Sequence, residues 1–447
     1  MLYDFIVIGA GASGLFFAAR AANLSVLLLE RQNRAGRKLL LSGGGKCNVT
    51  NRAVGPENYF SRGSEAALLR RWLVPALKAW PAARMLEWLG RHGIRLEERE
   101  HGQMFCARGA GDLRDLLLEL AARNGAELKL GQSIQALRHI PAAGGMAGGV
   151  AGGMGGAAWR FGPPQSGGAG GTAFQDPPAR SCFEVISNGR SHFARRLLLA
   201  CGGPAWPRAG ATSLGAALAR ASGHKLVPAS PALTPLSLPP DWPLHGLQGL
   251  SLPARLALPG LEAPAFTLPL LFTHQGLSGP ACLQISTYLP LAPTVAETGL
   301  EIDFLPGQNL AELLDAPGNQ RLNLTGLLRR LLPERLGAAL VRGAGLEGQA
   351  ARKLAELPRA ARKQAVQAVQ AHRCRPLAPA FDQAESSSGG VDLREINPAN
   401  LESRLAPGLH FSGELIDVCG WLGGYNLHWA WASANLAASV HNKQERP

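Results

Sequence analysis

Six residues near the start of the chain, GAGASG at positions 9–14, constrain its fold more than any other feature. They follow directly on the apolar run Phe5–Ile8 and open a segment with a helical pattern. Each glycine has its own role: Gly9 permits a tight turn, Gly11 lets a pyrophosphate contact the backbone, and Gly14 lets the helix pack on the strand. The sequence therefore predicts a strand–turn–helix unit that binds a dinucleotide at the positive end of a helix.

A second apolar run, Val26–Leu29, completes this unit and ends in Glu30. In dinucleotide-binding folds an acidic residue at this place accepts hydrogen bonds from the adenosine ribose. We therefore expect Glu30 and its neighbour Arg31 at the adenosine end of the site. The residues expected around the pyrophosphate are Gly9, Ala10, Gly11, Ala12, Ser13 and Gly14. This fingerprint does not distinguish FAD from NAD.

Length and charge bound the remaining possibilities. A chain of 447 residues exceeds one typical core, so two or three domains are expected. The net charge of +13 suits an anionic ligand or nucleic acid, although an arginine-rich proteome produces the same balance. The seven cysteines form no C-x-x-C pair, which argues against a disulfide framework and a zinc site. We therefore expect no metal and a reducing, cytoplasmic compartment.

The apolar N-terminus resembles a signal peptide only superficially, because it carries Asp4 and lacks a basic region. No uncharged stretch reaches the length of a membrane span, so no membrane association is expected.

The composition changes along the chain where prolines cluster from Pro228 to Pro243, which indicates a domain boundary. Short strands are expected over 245–305 and helices over 309–370, before strand-and-glycine character returns. The predicted domains are a nucleotide-binding domain in two parts, 1–228 and 376–447, and an inserted β-rich and helical domain at 229–375. Residues 141–173 hold 13 glycines, and we interpret them as a disordered lengthening of one loop.

Two further segments favour FAD over NAD. SGGGKCNVTN at 42–51 suits neither helix nor strand, because glycine loses the most backbone entropy on ordering, so a close ligand approach is expected. GELIDVCGWLGGYN at 413–426 provides the second contact surface that an extended flavin needs. Within it, Glu414 and Asp417 are expected to meet ribityl hydroxyls, and Gly423-Gly424 to start the last helix near the flavin ring.

With CGGPAWPRAG and FTHQGLSGP, these segments resemble, in order and spacing, the BaiN/RdsA-type FAD-dependent oxidoreductases, also called aminoacetone-oxidase-type flavoproteins. The resemblance spans nearly the whole chain. It implies an α/β fold: a glutathione-reductase-like FAD-binding Rossmann-type domain interrupted by an inserted β-rich plus helical domain. It also implies that the 42–51 loop lies along the cofactor, with Arg37 and Lys38 near phosphate and the backbone of Ile134 at the adenine. The other residues expected at FAD are Gly43, Gly44, Gly45, Lys46, Cys47, Asn48, Gly202, Gly203, Gly413, Glu414, Asp417, Gly423, Gly424, Tyr425 and Asn426.

The chain departs from the family pattern at three places. Lys46 stands where the family usually has Arg, Cys201 where it has Thr, and His428 where it has Gln. Lysine keeps the charge of arginine but loses its bidentate geometry. The change near the C-terminus bears on the substrate more than on the cofactor.

Four residues are candidates for catalysis. Cys47 could be a redox thiol, but no second cysteine lies on the same short segment, so packing is favoured. His274 could act as an acid or base over the flavin, or it could stabilise the turn in which it lies. Tyr425 and His428 are candidate proton donors by their position in the motif.

The expected function is hydride exchange between non-covalently bound FAD and a small organic substrate, with NAD(P)H as a transient electron donor. A flavin-dependent RNA-modifying enzyme and a non-catalytic flavin-binding redox sensor are the alternatives. The basic segment 351–376 contains no aromatic residue to stack on bases, so a solvated helix face is favoured there and nucleic acid is not the expected partner. The sequence predicts no oligomeric state.

Overall fold

The computed structural model of the chain describes residues 1–140, 158–160, 181–291 and 299–444. The chain divides into two compact units, residues 1–229 with 388–447, and residues 230–387.

The second boundary lies at 387/388, later than the predicted 375/376. The reason is that Leu377 and Glu385 donate backbone hydrogen bonds to Ser237 and Leu233, which holds the intervening segment in the second unit. Most of the glycine tract predicted at 141–173 lies outside the described residues. Its residues Ala158–Arg160 form a strand, so the prediction of disorder is wrong for these three.

The strands, numbered in chain order, are β1 Leu2–Ile8, β2 Val26–Leu29, β3 Asn48–Asn51, β4 Tyr59–Phe60, β5 Leu96–Arg99, β6 Gln103–Cys106, β7 Glu127–Lys129, β8 Ile134–Ile140, β9 Ala158–Arg160, β10 Cys182–Ser187, β11 Arg190–Leu199, β12 Leu226–Ala232, β13 Leu236–Ser237, β14 Ser251–Ala257, β15 Phe266–Phe272, β16 Gly276–Ser278, β17 Leu300–Asp303, β18 His372–Cys374, β19 Ser386–Val391, β20 Leu409–Phe411 and β21 Cys419–Gly420. The helices are α1 Ala12–Arg20, α2 Arg37–Leu41, α3 Ala66–Ala79, α4 Ala82–Arg91, α5 Ala110–Arg123, α6 Leu214–Ala221, α7 Pro280–Ser286, α8 Leu310–Asp315, α9 Leu324–Leu331, α10 Glu334–Gly343, α11 Arg359–Gln370 and α12 Tyr425–Gln444.

The first unit is built on an eight-stranded sheet in the order β7–β2–β1–β11–β10–β8–β9, with β20 also paired to β11. Strands β7, β2, β1, β11 and β20 run parallel, because helical crossovers connect them. The predicted strand–helix–strand unit is confirmed as β1, α1 and β2. Its first strand lies between β2 and β11, which is the kind of switch point where α/β sheets bind ligands.

The hairpin of β10 and β11 closes through Asn188 and Gly189, as the sequence predicts. Both residues have positive φ angles, 47° and 74°, as a two-residue turn with the twist of a β-hairpin requires.

The long helix α12 packs against β3 and α1, which adjoin the turns expected to bind the cofactor. Its Trp431 donates from Nε1 to the carbonyl of Val49 in β3 at 2.8 Å, and its Asn435 accepts from Arg20 at the end of α1 at 3.3 Å. The Phe16 ring of α1 packs against Trp431 at a centroid distance of 5.3 Å. The starts of α1 and α12, which both border the site described below, therefore belong to one packed core.

The second unit holds a six-stranded sheet in the order β13–β16–β15–β14–β17–β18 and the helices α8–α11. One face of this sheet is buried, as strand β14 illustrates. Its Leu252, Ala254 and Leu256 are buried and alternate with exposed residues, because successive side chains of a strand point to opposite faces. The predicted helices over 309–370 are observed, but the helix α7 at Pro280–Ser286 lies within the range 245–305 predicted as strands. No helix among the described residues is long and apolar enough to cross a membrane.

Candidate cofactor site

The first glycine-rich turn contains two glycines that packing requires and one that it does not. Gly9 has a φ of 103°, and a Cβ there would lie 2.6 Å from the carbonyl oxygen of Ala200. A Cβ on Gly14 would lie 1.9 Å from the carbonyl oxygen of Gly9. A Cβ on Gly11 would meet no protein atom within 4 Å. The open space beside Gly11, at the start of α1, fits a pyrophosphate.

Glu30 is held rigidly at the end of β2. Its Oε2 accepts from the backbone N–H of Ala10 at 2.8 Å, and its Oε1 accepts from that of Gln32 at 2.8 Å. Two backbone donors fix the carboxylate while leaving lone pairs on each oxygen for ribose hydroxyls. The carbonyl of Glu30 also accepts from the backbone N–H of Gln132. This hydrogen bond places the segment that leads to Ile134 beside Glu30. The contact of Ile134 with adenine stays a prediction.

The loop that follows α2 contains several left-handed residues. The φ angles of Gly43, Gly44 and Gly45 are 56°, 65° and 87°, and after Lys46 at −95°, Cys47 has a φ of 51°. A Cβ on Gly43 would lie 2.8 Å from the ring of Phe105, so packing explains that glycine. A Cβ on Gly44 would meet nothing within 4 Å, which leaves bare backbone open to a ligand. Lys46 and Gly44 are both exposed.

Three segments far apart in the sequence meet at Glu414. Its Oε2 accepts from Lys38 Nζ at 3.1 Å and from the backbone N–H of Gly203 at 3.2 Å. Lys38 belongs to α2, Gly203 follows β11, and Glu414 follows β20. The structure thus brings together residues that the sequence proposed separately for the cofactor.

Both predicted arginines have protein acceptors. Arg31 donates to the carbonyl of Gly210 at 2.9 Å, and Arg37 donates to Gln32 Oε1 at 3.3 Å. Their contact with phosphate stays a prediction.

The C-terminal glycine pair lies against β3. A Cβ on Gly424 would come within 2.6 Å of the carbonyl of Thr50, and Asn51 Nδ2 donates to the carbonyl of Gly423 at 3.1 Å. Both glycines have positive φ angles, 122° and 96°. The start of α12 therefore borders the second half of the SGGGKCNVTN motif, as expected if both motifs serve one ligand.

The carboxylate of Asp417 has four protein donors, and its contact with the ribityl chain stays a prediction. Its buried carboxylate accepts from the Ser61 hydroxyl at 2.7 Å and from three backbone N–H groups, those of Arg62, Gly63 and Gly389, at 3.1, 2.7 and 3.0 Å. Burial raises the pKa of Asp417, and the four hydrogen bonds oppose that change. Asp417 joins two loops of the first unit.

The side chain of Asn426 has a structural role, and its contact with the cofactor stays a prediction. Its Oδ1 accepts from the backbone N–H of Gly420 at 2.8 Å, and its Nδ2 donates to the carbonyl of the same residue at 2.9 Å. The amide therefore closes the turn between β21 and α12. Ser433 supports the neighbouring turn, since its hydroxyl accepts from the backbone N–H of Gly413 at 3.0 Å.

The protein engages both ring nitrogens of His428, and its role as a proton donor stays a prediction. Its fully buried ring donates from Nε2 to the carbonyl of Trp80 at 3.0 Å, and its Nδ1 accepts from the hydroxyl of Thr50 at 2.8 Å. Both nitrogens are therefore used by the protein. Burial lowers the pKa of His428 to about 4, so the ring is neutral near pH 7.

We expect His428→Gln to keep FAD binding and to reduce acid sensitivity, because a glutamine amide can also donate and accept. The pKa of His428 lies below its ordinary value of 6.5, so the unfolded chain binds the extra proton. Stability is therefore lost as pH falls from about 6.5 to about 4, by at most about 3 kcal/mol from this residue. Urea unfolding at several pH values checks this.

His428→Leu is the matched comparison, because it leaves the Thr50 hydroxyl and the Trp80 carbonyl unpaired. A glutamine variant as destabilised at pH 7 as the leucine variant would contradict the assignment. In His428→Gln the free energy of unfolding should still depend on pH, since burial also lowers the pKa of His410 to about 4.

Cys47 is a packing residue, as the sequence favours, but its surroundings were not foreseen. The thiol is fully buried beside Cys106, whose backbone N–H donates to the carbonyl of Cys47 at 3.3 Å. Burial and the neighbouring thiol raise the pKa of Cys47 well above its ordinary value, so it is poorly suited to act as a nucleophile.

The remaining two catalytic candidates also stay predictions. Tyr425 is buried at the start of α12, and burial raises the pKa of its hydroxyl, which keeps it protonated. His274 lies in the second unit, exposed in the turn between β15 and β16.

The sequence reasoning missed Thr50 and Asn51, which hold His428 and Gly423. The sequence NVTN carries no signal that separates these two residues from Asn48, which is also polar. Among the described residues, no three His, Cys, Asp or Glu side chains lie together as metal ligands would.

The parallel sheet, the turn at Gly11 and the fixed Glu30 define a Rossmann-type dinucleotide-binding domain. The family model for the HI0933-like protein Rossmann domain matches residues 3–144 and 176–440, and the chain belongs to this family of FAD-dependent oxidoreductases.

Three curated relatives match over nearly their full lengths. The chain is 31% identical over 445 residues to the ribosomal RNA dihydrouridine synthase of Haemophilus influenzae, with 98% of each chain covered. It is 30% identical to the ribosomal RNA dihydrouridine synthase of Escherichia coli, covering 97% of this chain and 96% of that one. It is also 30% identical to the 3-dehydro-bile acid delta(4,6)-reductase of Clostridium scindens, with 99% of each covered.

Proposed function

We propose that the protein transfers a hydride from reduced FAD to a carbon–carbon double bond conjugated with a carbonyl group of a small organic substrate. The observation that carries this is the chemistry common to the names of the relatives. Dihydrouridine is uridine with its conjugated double bond saturated, and the bile acid enzyme is named as a delta(4,6)-reductase. Both products require hydride addition to a double bond polarised by a carbonyl.

The chain's own residues would bind and orient the cofactor. Backbone N–H groups at Gly11 and the start of α1 would hold the pyrophosphate, and Glu30 the adenosine ribose. Lys38, paired with Glu414 at 3.1 Å, adds positive charge where the phosphates and the ribityl chain would pass. Bound FAD supplies the hydride chemistry, while the protein fixes geometry and electrostatics.

We expect NAD(P)H, as electron donor, to act in turn with the acceptor rather than together with it. The fingerprint at 9–14 follows a strand, whereas the second match to its pattern, GAGLEG at 343–348, follows the helix α10. No separate nicotinamide fold is therefore predicted. Steady-state kinetics should give parallel double-reciprocal lines, and a stable ternary complex would contradict this.

A uracil base within RNA is the second candidate substrate. It is favoured by two relatives named as ribosomal RNA dihydrouridine synthases, which match over 445 and 449 residues, and by the net charge of +13.

The test is to reduce the bound flavin without oxygen and then add acceptors. Conjugated enones and a folded ribosomal RNA fragment are compared, with recovery of the oxidised flavin spectrum as the readout. At least one class should reoxidise the flavin and gain two hydrogens by mass spectrometry. If no acceptor reoxidises it, the proposal fails. A flavin that no donor reduces would favour the redox-sensor alternative.

A further inference from the structure

The positive charge of the chain is concentrated in one part of the second unit. Residues 309–376 contain twelve Lys or Arg against five Asp or Glu, a net charge of +7 out of +13 for the whole chain. This segment forms the helices α8–α11 and strand β18. More than half of the net charge thus lies in one local helical array.

Part of this charge is neutralised within the array. Arg329 pairs with Glu334 at 2.7 Å, and Arg362 pairs with Asp315. Arg362 also donates to the carbonyl of Leu357, so it has a structural role.

Nine other basic residues of this segment are exposed and form no ion pair with a carboxylate among the described residues. Three of them, Arg342, Arg359 and Lys363, lie on the helices α10 and α11. Arg359 and Lys363 are one helical turn apart on α11 and therefore share a face. Arg342 lies in the last turn of α10.

A groove of about 260 Å³ lies between α10 and α11. Gly343, next to Arg342, lines one wall, and Gln364 and Gln367 line the other. Arg373 also borders the groove and lies 3.7 Å from Glu301. We call Arg342, Arg359, Lys363 and this groove the basic face.

The chemistry of the basic face favours phosphate over bases. Residues 309–376 contain no Phe, Trp or Tyr, so the platforms on which single-stranded bases stack are lacking in this segment. Folded double-stranded RNA is recognised instead through its shape, its phosphates and its 2′-hydroxyls. Arginine, lysine and amide side chains suit those groups.

We propose that the basic face docks the phosphate backbone of folded RNA, so that the helical half of the second unit is an RNA-binding surface. This rests on the second candidate of the proposed function, RNA as substrate. Contacts of this kind are electrostatic and release counterions, so the affinity must fall steeply with salt.

The test compares two charge-matched triple variants of the full-length protein loaded with FAD. The first is Arg342→Gln with Arg359→Gln and Lys363→Gln. The control is Arg70→Gln with Arg71→Gln and Lys78→Gln, which removes the same charges from exposed positions on α3. Fluorescence anisotropy with a labelled, folded ribosomal RNA fragment measures the affinity over a range of salt concentrations.

The first triple variant should bind about ten- to hundredfold more weakly at physiological salt, with a log–log salt slope smaller by about two to three. The control triple should bind nearly as wild type. Single-stranded polyuridine should bind more weakly than the folded fragment. Equal losses in the two triples, or no binding of folded RNA by the wild type, would overturn the proposal.

The same two triple variants also test the RNA-docking proposal independently of the proposed function. Reoxidation of the reduced flavin by small conjugated enones should be unchanged in both triple variants. If RNA binds through the basic face but no acceptor reoxidises the flavin, the docking surface stands and the proposed function fails.

Discussion

Gly11→Val is expected to yield a folded protein without FAD. No protein atom lies within 4 Å of a Cβ at this position, so the valine itself strains nothing in the chain. Its side chain would instead fill the space in which the pyrophosphate meets the backbone N–H groups at the start of α1. Loss of two such charge-assisted hydrogen bonds weakens binding by about 3 kcal/mol or more, which is about a hundredfold.

The measurement is the ratio of FAD to protein after purification, together with the circular dichroism melt of the protein. Gly90→Val is the control, since Gly90 in α4 also has no atom within 4 Å of its Cβ position. It should keep FAD. Gly14→Val, by contrast, is expected to disrupt the fold, because its Cβ would lie 1.9 Å from the Gly9 carbonyl. A Gly11→Val protein that retains a full complement of FAD would contradict the site.

Asp417→Ala is expected to cost about 4 kcal/mol or more in the free energy of unfolding, because removing a buried acceptor leaves its donors unpaired. The four donors are the Ser61 hydroxyl and the backbone N–H groups of Arg62, Gly63 and Gly389. Asp417→Asn should cost less, since it keeps the shape and one good acceptor. Urea unfolding at pH 7 gives both values.

Asp392→Ala provides the comparison for a second buried carboxylate. The hydrogen bonds of Asp392 go to Arg394, its exposed neighbour in sequence, so water can replace much of what is lost. Its cost should therefore be smaller than that of Asp417→Ala. Unfolding of Asp417→Ala at the same urea concentration as the wild type would show that the carboxylate does not join the two loops.

The strand–turn–helix unit and its ligand could be predicted because their requirements are local. Gly9, Gly14 and Glu30 lie within one short stretch. Gly9 has a φ of 103°, Gly14 packs against the carbonyl of Gly9, and Glu30 accepts from the backbone N–H of Ala10. The hairpin at Asn188-Gly189 was predictable for the same reason, since two residues alone determine the turn. The sequence also determined the fold class and the family, because several glycine-rich motifs occur in a specific order.

Only the tertiary structure decided which protein groups the polar residues of the cofactor motif bind. Asp417, Asn426 and His428 belong to a cofactor motif, yet their hydrogen-bonding groups are used by Ser61, Gly420, Thr50, Trp80 and their neighbours. Cys47 likewise lies beside Cys106 and not near a cysteine of its own segment. A carboxylate, an amide or an imidazole suits a buried backbone donor as well as a ligand hydroxyl. Which partner it meets depends on chain segments that are distant in sequence and adjacent only after folding.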